Sequence, residues 1–277
     1  MIDQPLPIFA PGTDPGPSFF DLLRRTAPDA LPGANWPAAR LSDGGPRPAP
    51  LEVPHGTTIV CLKYAGGVVM AGDRRATEGF SIADDRIEKV FHADEHSTVA
   101  IAGAAGQATE IVKLFQVELE HYEKVQGDRL SLEGKANRLA QLIRQNFPMA
   151  LQGLVVVPIF GGYDLRREEG RLFRYDATGG RWEEADYLST GSGGRPAKSS
   201  LKKLWRPELS REDAIRVGVE ALRDAAQEDV ATGGPDPTRG IYPSVKVVSE
   251  SGIEDVPDEE VRSVYEAMIA REQGGGS

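Results

Sequence analysis

Apolar and polar positions along the chain change period several times, and each change marks an element. TTIVCLKY (Thr57 to Tyr64) and GVVMAGD (Gly67 to Asp73) are short runs rich in β-branched residues. They flank a tight turn at Ala65–Gly67 and predict a hairpin. RIEKVF and STVAIAG predict two more strands. The period then lengthens: Ala108, Ile111, Phe115, Leu119 and Tyr122 mark one helical face. A second helix is predicted from an N-cap at Ser131, with Ala136, Leu139, Ile143 and Phe147 inward. Strand texture returns in QGLVVVPIFGGYD, GRLFRYD and around ADYLST. SREDAIRVGVEALRDAAQED opens on a capping pattern, Ser210 and Asp213, and places Ala214, Val217, Ala221, Leu222 and Ala225 on one face. YPSVKVVS predicts a further strand and DEEVRSVYEAMIARE a closing helix, with QGGGS as a loose tail. No internal repeat is visible. Hairpin-linked strands imply antiparallel sheets, and helices gathered between strand groups imply an α+β fold. The expected architecture is a four-layer αββα sandwich of two antiparallel sheets between helices.

Proline divides the chain. Twelve of its 20 prolines fall within residues 1–56, a segment without sustained periodicity beyond SFFDLLRRTAP (Ser18 to Pro28). Such a composition buries too little apolar surface to order itself. We therefore expect two parts: 1–56, largely disordered and a candidate removable pro-segment, and 57–277, the folded domain. The 277 residues carry 32 basic and 42 acidic side chains, a net charge of −10. That balance argues against nucleic-acid binding. A single cysteine, Cys61, excludes an internal disulfide framework. No apolar run approaches the roughly 18 residues of a membrane span, and the N-terminus lacks the charged-then-apolar order of a secretion signal. The reading is an acidic cytoplasmic protein, with no nucleic-acid or membrane partner and no cofactor or metal.

Ionisable groups sit where the pattern is apolar. By strand alternation Lys89 shares a face with Ile87 and Phe91, and Asp73 with Val69 and Ala71; Asp229 follows Ala225 on the inward stripe of its helix. A buried unpaired charge costs several kcal/mol, so each group needs a partner or a function. Ion pairing at an element end explains any one of them. Three of complementary sign point to a polar site inside the fold. His92 and His96 are spaced i, i+4 but fit a turn between strands, GSGGRPAKSS lacks phosphate-loop spacing, no GxSxG occurs, and Cys61 reads as a small core hydrophobe. Thr57 remains, at the junction of the two parts. Cutting Gly56–Thr57 would give it a free α-amine, with an ordinary pKa of about 7.7–8.0, able to act as base for its own hydroxyl. Lys89 is the right type to tune that amine and Asp73 to balance the lysine. Gly56 would let the backbone bend for self-attack.

At this point HGTTIVCLKYAGGVVMAGDRRAT (His55 to Thr77), the lysine of DRIEKVF, IAGAAGQA (Ile101 to Ala108), TGSGG (Thr190 to Gly194) and DVATGGPD (Asp229 to Asp236) together resemble a bacterial, actinobacterial-type proteasome β subunit over the whole chain after residue 56. The resemblance implies an N-terminal nucleophile hydrolase fold and a threonine endopeptidase freed by autocatalytic cleavage between Gly56 and Thr57. It implies Thr57 as nucleophile, Asp73 and Lys89 as supporting pair, and the Gly103 N–H as oxyanion donor, a contribution of about 2.7–4 kcal/mol where typical. Ser192 and Asp229 would orient the amine. Thr232 stands where the family often has serine and keeps the hydroxyl. Ala76, Thr77, Ile87, Phe91, Ile101 and Ala105 would line the substrate channel and its first pocket, Thr77 binding peptide backbone. The partners implied are homo-heptameric β rings stacked between heptameric α-subunit rings, a ring ATPase regulator and tagged protein substrates. Two other readings share these residues: a different self-processing hydrolase, such as the bacterial two-ring ATP-dependent peptidase, and an inactive β subunit used for ring assembly.

Overall fold

The computed structural model describes residues 56–78 and 81–274. Expectations for the Pro-rich segment before Gly56, and for the last three residues, lie outside these. The strands are β1 (Thr58–Tyr64), β2 (Gly67–Gly72), β3 (Ala76–Glu78), β4 (Ser81–Asp84), β5 (Val90–Asp94), β6 (Ser97–Gly103), β7 (Val156–Asp164), β8 (Glu169–Tyr175), β9 (Arg181–Glu184), β10 (Tyr187–Gly191), β11 (Ser244–Ser249) and β12 (Gly252–Asp255). The helices are α1 (Ala105–Gln126), α2 (Leu132–Ala150), α3 (Gly194–Leu204), α4 (Arg211–Glu228) and α5 (Asp258–Gly274).

Two five-stranded sheets, ordered β10-β1-β2-β11-β12 and β5-β6-β7-β8-β9, form the middle layers, and every neighbouring pair is antiparallel. Strand alternation explains why β1 and β2 are buried on both faces. Val60, Leu62, Val69 and Ala71 pack under α3, α4 and α5 with Val217, Leu222 and Val261. Ile59, Cys61, Val68 and Met70 point the other way and meet Ala100, Ile159 and Leu172 between the sheets. On the far side, α1 and α2 cover the second sheet through Phe115, Leu139, Ile143, Phe160 and Phe173. The expected αββα sandwich is the observed one.

The caps fall where the sequence places them. The Ser131 Oγ accepts from the Gly134 N–H at 3.1 Å, and the Ser210 Oγ from the Asp213 N–H at 3.1 Å. Several boundaries differ. RIEKVF is not a strand throughout: β5 starts at Val90, and Arg86–Lys89 runs as an irregular segment whose Ile87 N–H reaches the Arg74 carbonyl. GVVMAGD ends as a strand at Gly72, leaving Asp73 just beyond it. Asp229 is not on the inward stripe of α4 but is its half-buried C-cap residue, with φ −127°. Tyr122 is 40% exposed rather than inward. Short polar elements escape the hydrophobic pattern: the antiparallel pair β3 and β4, then β9, β12 and α3.

Candidate active site

The second sheet's β5–β6 end and the first sheet's β1–β2 end converge at Gly56 and Thr57. Lys89 supplies the ammonium there and is 5% exposed. Its Nζ donates to Asp73 Oδ1 at 2.8 Å, to the Gly56 carbonyl at 2.9 Å and to the Arg75 carbonyl. An ammonium has three N–H donors, and all three are used. Asp73, fully buried, answers with four acceptor contacts. Besides Lys89 it receives the backbone N–H of Thr58 at 2.7 Å, Arg75 at 2.9 Å and Gly233 at 2.9 Å. Burial pulls the Lys89 pKa below the ordinary lysine value, and the Asp73 carboxylate opposes that fall.

The Thr57 hydroxyl donates to the Gly56 carbonyl oxygen at 2.7 Å. That oxygen therefore receives two donors, Thr57 Oγ1 and Lys89 Nζ. Gly56 itself has no room for a side chain, because a Cβ would stand 2.6 Å from the Ala231 carbonyl oxygen. A second cluster lies on the other side of the Thr57 backbone. The Ser192 N–H donates to the Thr57 carbonyl at 2.9 Å, and the Ser192 Oγ contacts it at 3.3 Å. Ser192 Oγ and Thr232 Oγ1 each donate to Asp229 Oδ2 at 2.5 Å. The contacts of this cluster with the Thr57–Thr58 segment run to the Thr57 carbonyl and the Thr58 side chain, and none to the Thr57 nitrogen is seen among the described residues.

A cavity of about 40 Å³ opens beside Thr57 and Lys89, lined by Ala76, Ile87, Phe91, Ile101, Gly103 and Ala105. Glu88, Ala108 and Thr109 complete it. Hollows of about 210 and 230 Å³ lie elsewhere, at the start of α2 and near Tyr64, away from Thr57. Chemistry rather than size singles out the smaller one. Thr77 is outside its lining but close to the junction: its Oγ1 would be 2.7 Å from a Cβ on Gly56. Gly103, at φ +121°, closes β6; a Cβ there would stand 2.0 Å from the Val155 carbonyl oxygen, so only glycine fits. Among the described residues no three His, Cys, Asp or Glu side chains are grouped to hold a metal. His92 pairs with Asp255 at 2.8 Å, and His96 Nε2 meets the Glu250 carbonyl at 3.0 Å. Burial pushes the Cys61 thiol pKa up and leaves it inert as a core residue.

The structure thus brings Thr57, Asp73, Lys89 and Gly56 into one hydrogen-bonded group, and Ser192, Asp229 and Thr232 into another beside it. Sequence reasoning missed the backbone donors of Arg75 and Gly233, the Gly193 N–H that donates to Thr58 Oγ1 at 2.9 Å, and the side chain of Thr58 itself. Their signal was present in GDRRAT, TGSGG, DVATGGPD and the doubled threonine, but backbone donors have no side-chain pattern to read.

A family profile for "Proteasome subunit" matches residues 53–236. A protein named proteasome subunit beta from Acidimicrobium ferrooxidans is 54% identical over 271 residues, covering 97% of this chain and 96% of the relative. One of the same name from Acidothermus cellulolyticus is 56% identical over 270 residues, covering 96% and 90%, and one from Frankia casuarinae 53% over 266 residues, covering 96% and 93%. With that likeness running through nearly the full length of each protein, the chain belongs to the proteasome family, as a β subunit of the actinobacterial type.

Proposed function

We propose that the chain is a catalytic β subunit: a threonine endopeptidase that frees its own nucleophile by cutting Gly56–Thr57. The observation that carries this is the Gly56 carbonyl oxygen, which accepts both the Thr57 hydroxyl and the buried Lys89 ammonium. In maturation the Thr57 Oγ1 attacks the Gly56 carbonyl carbon. Lys89 stabilises the charge gathering on the oxygen as the carbon becomes tetrahedral. The C–N bond then breaks, the Thr57 nitrogen takes the proton the hydroxyl gave up, and an ester remains. Water hydrolyses the ester, leaving a carboxylate on Gly56 and a free amine and hydroxyl on Thr57.

The mature residue has its base built in. The α-amine takes the hydroxyl proton as Oγ1 attacks a substrate carbonyl and returns it to the leaving amine. Lys89, held by Asp73, places positive charge beside that amine and favours its neutral, basic form. Gly103 contributes its N–H to the oxyanion. Ser192, Asp229 and Thr232 hold the Thr57 backbone from the other side. The apolar cavity of Ala76, Ile87, Phe91, Ile101 and Ala105 takes the side chain before the cut, which favours hydrophobic residues there, while Thr77 holds substrate backbone. Residues 1–56 are the removable pro-segment that keeps the amine blocked. The family implies seven-membered β rings stacked between α rings, an enclosed chamber in the cytoplasm, a ring ATPase and tagged substrates.

Replacing the nucleophile tests the proposal. Thr57→Ala should assemble yet keep residues 1–56 and hydrolyse no peptide. A Thr57→Ala chain that matures to residue 57 unaided would show that cleavage is not self-catalysed.

A further inference from the structure

Thr58, the residue after the proposed nucleophile, is fully buried, and its side chain is fully engaged. Thr58 Oγ1 lies 2.9 Å from the Gly193 nitrogen and 2.6 Å from Thr232 Oγ1. The directions of these bonds are forced. A backbone N–H only donates, so Thr58 accepts from Gly193. An ionised carboxylate only accepts, so Thr232 donates to Asp229. In the remaining contact Thr58 must therefore be the donor. The result is one ordered chain: Gly193 N–H to Thr58, Thr58 O–H to Thr232, Thr232 O–H to Asp229, with Ser192 O–H arriving at the same carboxylate oxygen. The two threonine hydroxyls each both accept and donate, which strengthens their neighbours. The packing is close around it: a Cβ on Gly193 would lie 2.6 Å from the oxygens of both Thr58 and Thr232.

The backbone of Thr58 serves the other cluster. Its N–H is the 2.7 Å donor to Asp73 Oδ1, the oxygen that also holds Lys89. Thr58 is thus bonded to both polar groups that flank Thr57, one through its main chain and one through its side chain. Resting on the reading of Thr57 as nucleophile, we propose that Thr58 is a positioning residue: its hydroxyl orders Thr232, Asp229 and Ser192 and so fixes the angle at which the freed Thr57 amine and hydroxyl face the substrate. It touches no substrate itself.

The test is steady-state peptide hydrolysis by assembled particles carrying Thr58→Val, which keeps the branched shape and removes the hydroxyl. The expected result is a kcat lowered by about tenfold or more with KM within about twofold of wild type. Thr58→Ser should restore kcat to within roughly threefold, because it returns both the donor and the acceptor. A methyl cannot sit as close to Thr232 as the hydroxyl does. If Thr58→Val does not assemble, Thr58→Ala relieves that crowding and should show the same split. Combining Thr58→Val with Thr232→Val should lower kcat no further than the worse single variant, since both cut one chain. Wild-type kcat in both hydroxyl-free variants, with a matured wild type that hydrolyses peptide, overturns this inference alone. A wild type that never exposes Thr57 overturns the threonine-nucleophile reading and this inference with it.

Discussion

Lys89 is held between two opposed effects, and its pH behaviour follows from which acts in which window. Burial lowers its pKa below the ordinary value of 10.5, against the pull of Asp73. Between the lowered value and 10.5 the unfolded chain still holds a proton that the folded chain has released. Stability therefore rises with pH across that window, as the cost of the buried charge is relieved, while below it the ammonium is charged in both states. Activity should run the other way: peptide hydrolysis falls on the alkaline side below 10.5, where the protein is still folded. A rate profile that tracks unfolding instead would contradict this. Lys89→Ala should keep its secondary structure and lose at least about a hundredfold in turnover. Near-normal hydrolysis by that variant would refute the electrostatic role. Lys89 and Asp73 were legible as charges in apolar runs, but not for the reason alternation gave. Both lie just outside their strands, where chain ends leave room for a polar site. Asp229 misled in the same way, since a helix period continued by one residue put a cap on the buried stripe.

The second sheet and α2 are joined by a buried arginine. Arg171 on β8, 2% exposed, meets Asp164 at the end of β7 at 2.9 Å, Glu133 of α2 at 2.6 Å and Glu183 of β9 at 2.6 Å. Its guanidinium also lies 5.0 Å from the Phe173 ring centroid. The Arg171 hydrogen bond lowers the Glu183 pKa; at Asp164 burial works against ionisation but is outweighed by Arg171 and the Arg166 and Arg167 N–H groups. Depressed carboxylate pKa values stabilise the fold above the unfolded value of about 4, and that stability is lost as pH falls through the folded values. Glu133 and Glu183 are more than a third exposed, so solvent screens their share. Arg171→Leu should cost about 3 kcal/mol at neutral pH, chiefly through the stranded Asp164. Denaturant unfolding should show that gap to wild type narrowing at acid pH; a gap independent of pH would point to packing alone. Sequence pattern found β8 and α2 from their apolar periods. It could not find β9 or α3: RWEE buries no residue fully, and GRPAKSSLKKL buries small or polar ones such as Ala197 and Ser200 beside a single large apolar one, Leu201. Elements that lean on a neighbour's surface have no hydrophobic signature of their own.

For the whole molecule, the account rests on one covalent event at the junction of Gly56 and Thr57. The sandwich brings β1, β2, β5 and β6 together so that one carbonyl meets a hydroxyl and a buried ammonium. A peptidase opened only by that cut, and enclosed in rings, can cleave broadly without acting on other proteins before assembly. The most direct measurement is the intact mass of this chain after co-expression and assembly with its α subunit. The account predicts the mass of residues 57–277, and hence a free Thr57 amine. Assembled particles holding the mass of the full 277 residues would contradict it, because Thr57 would remain an amide and could not act as its own base.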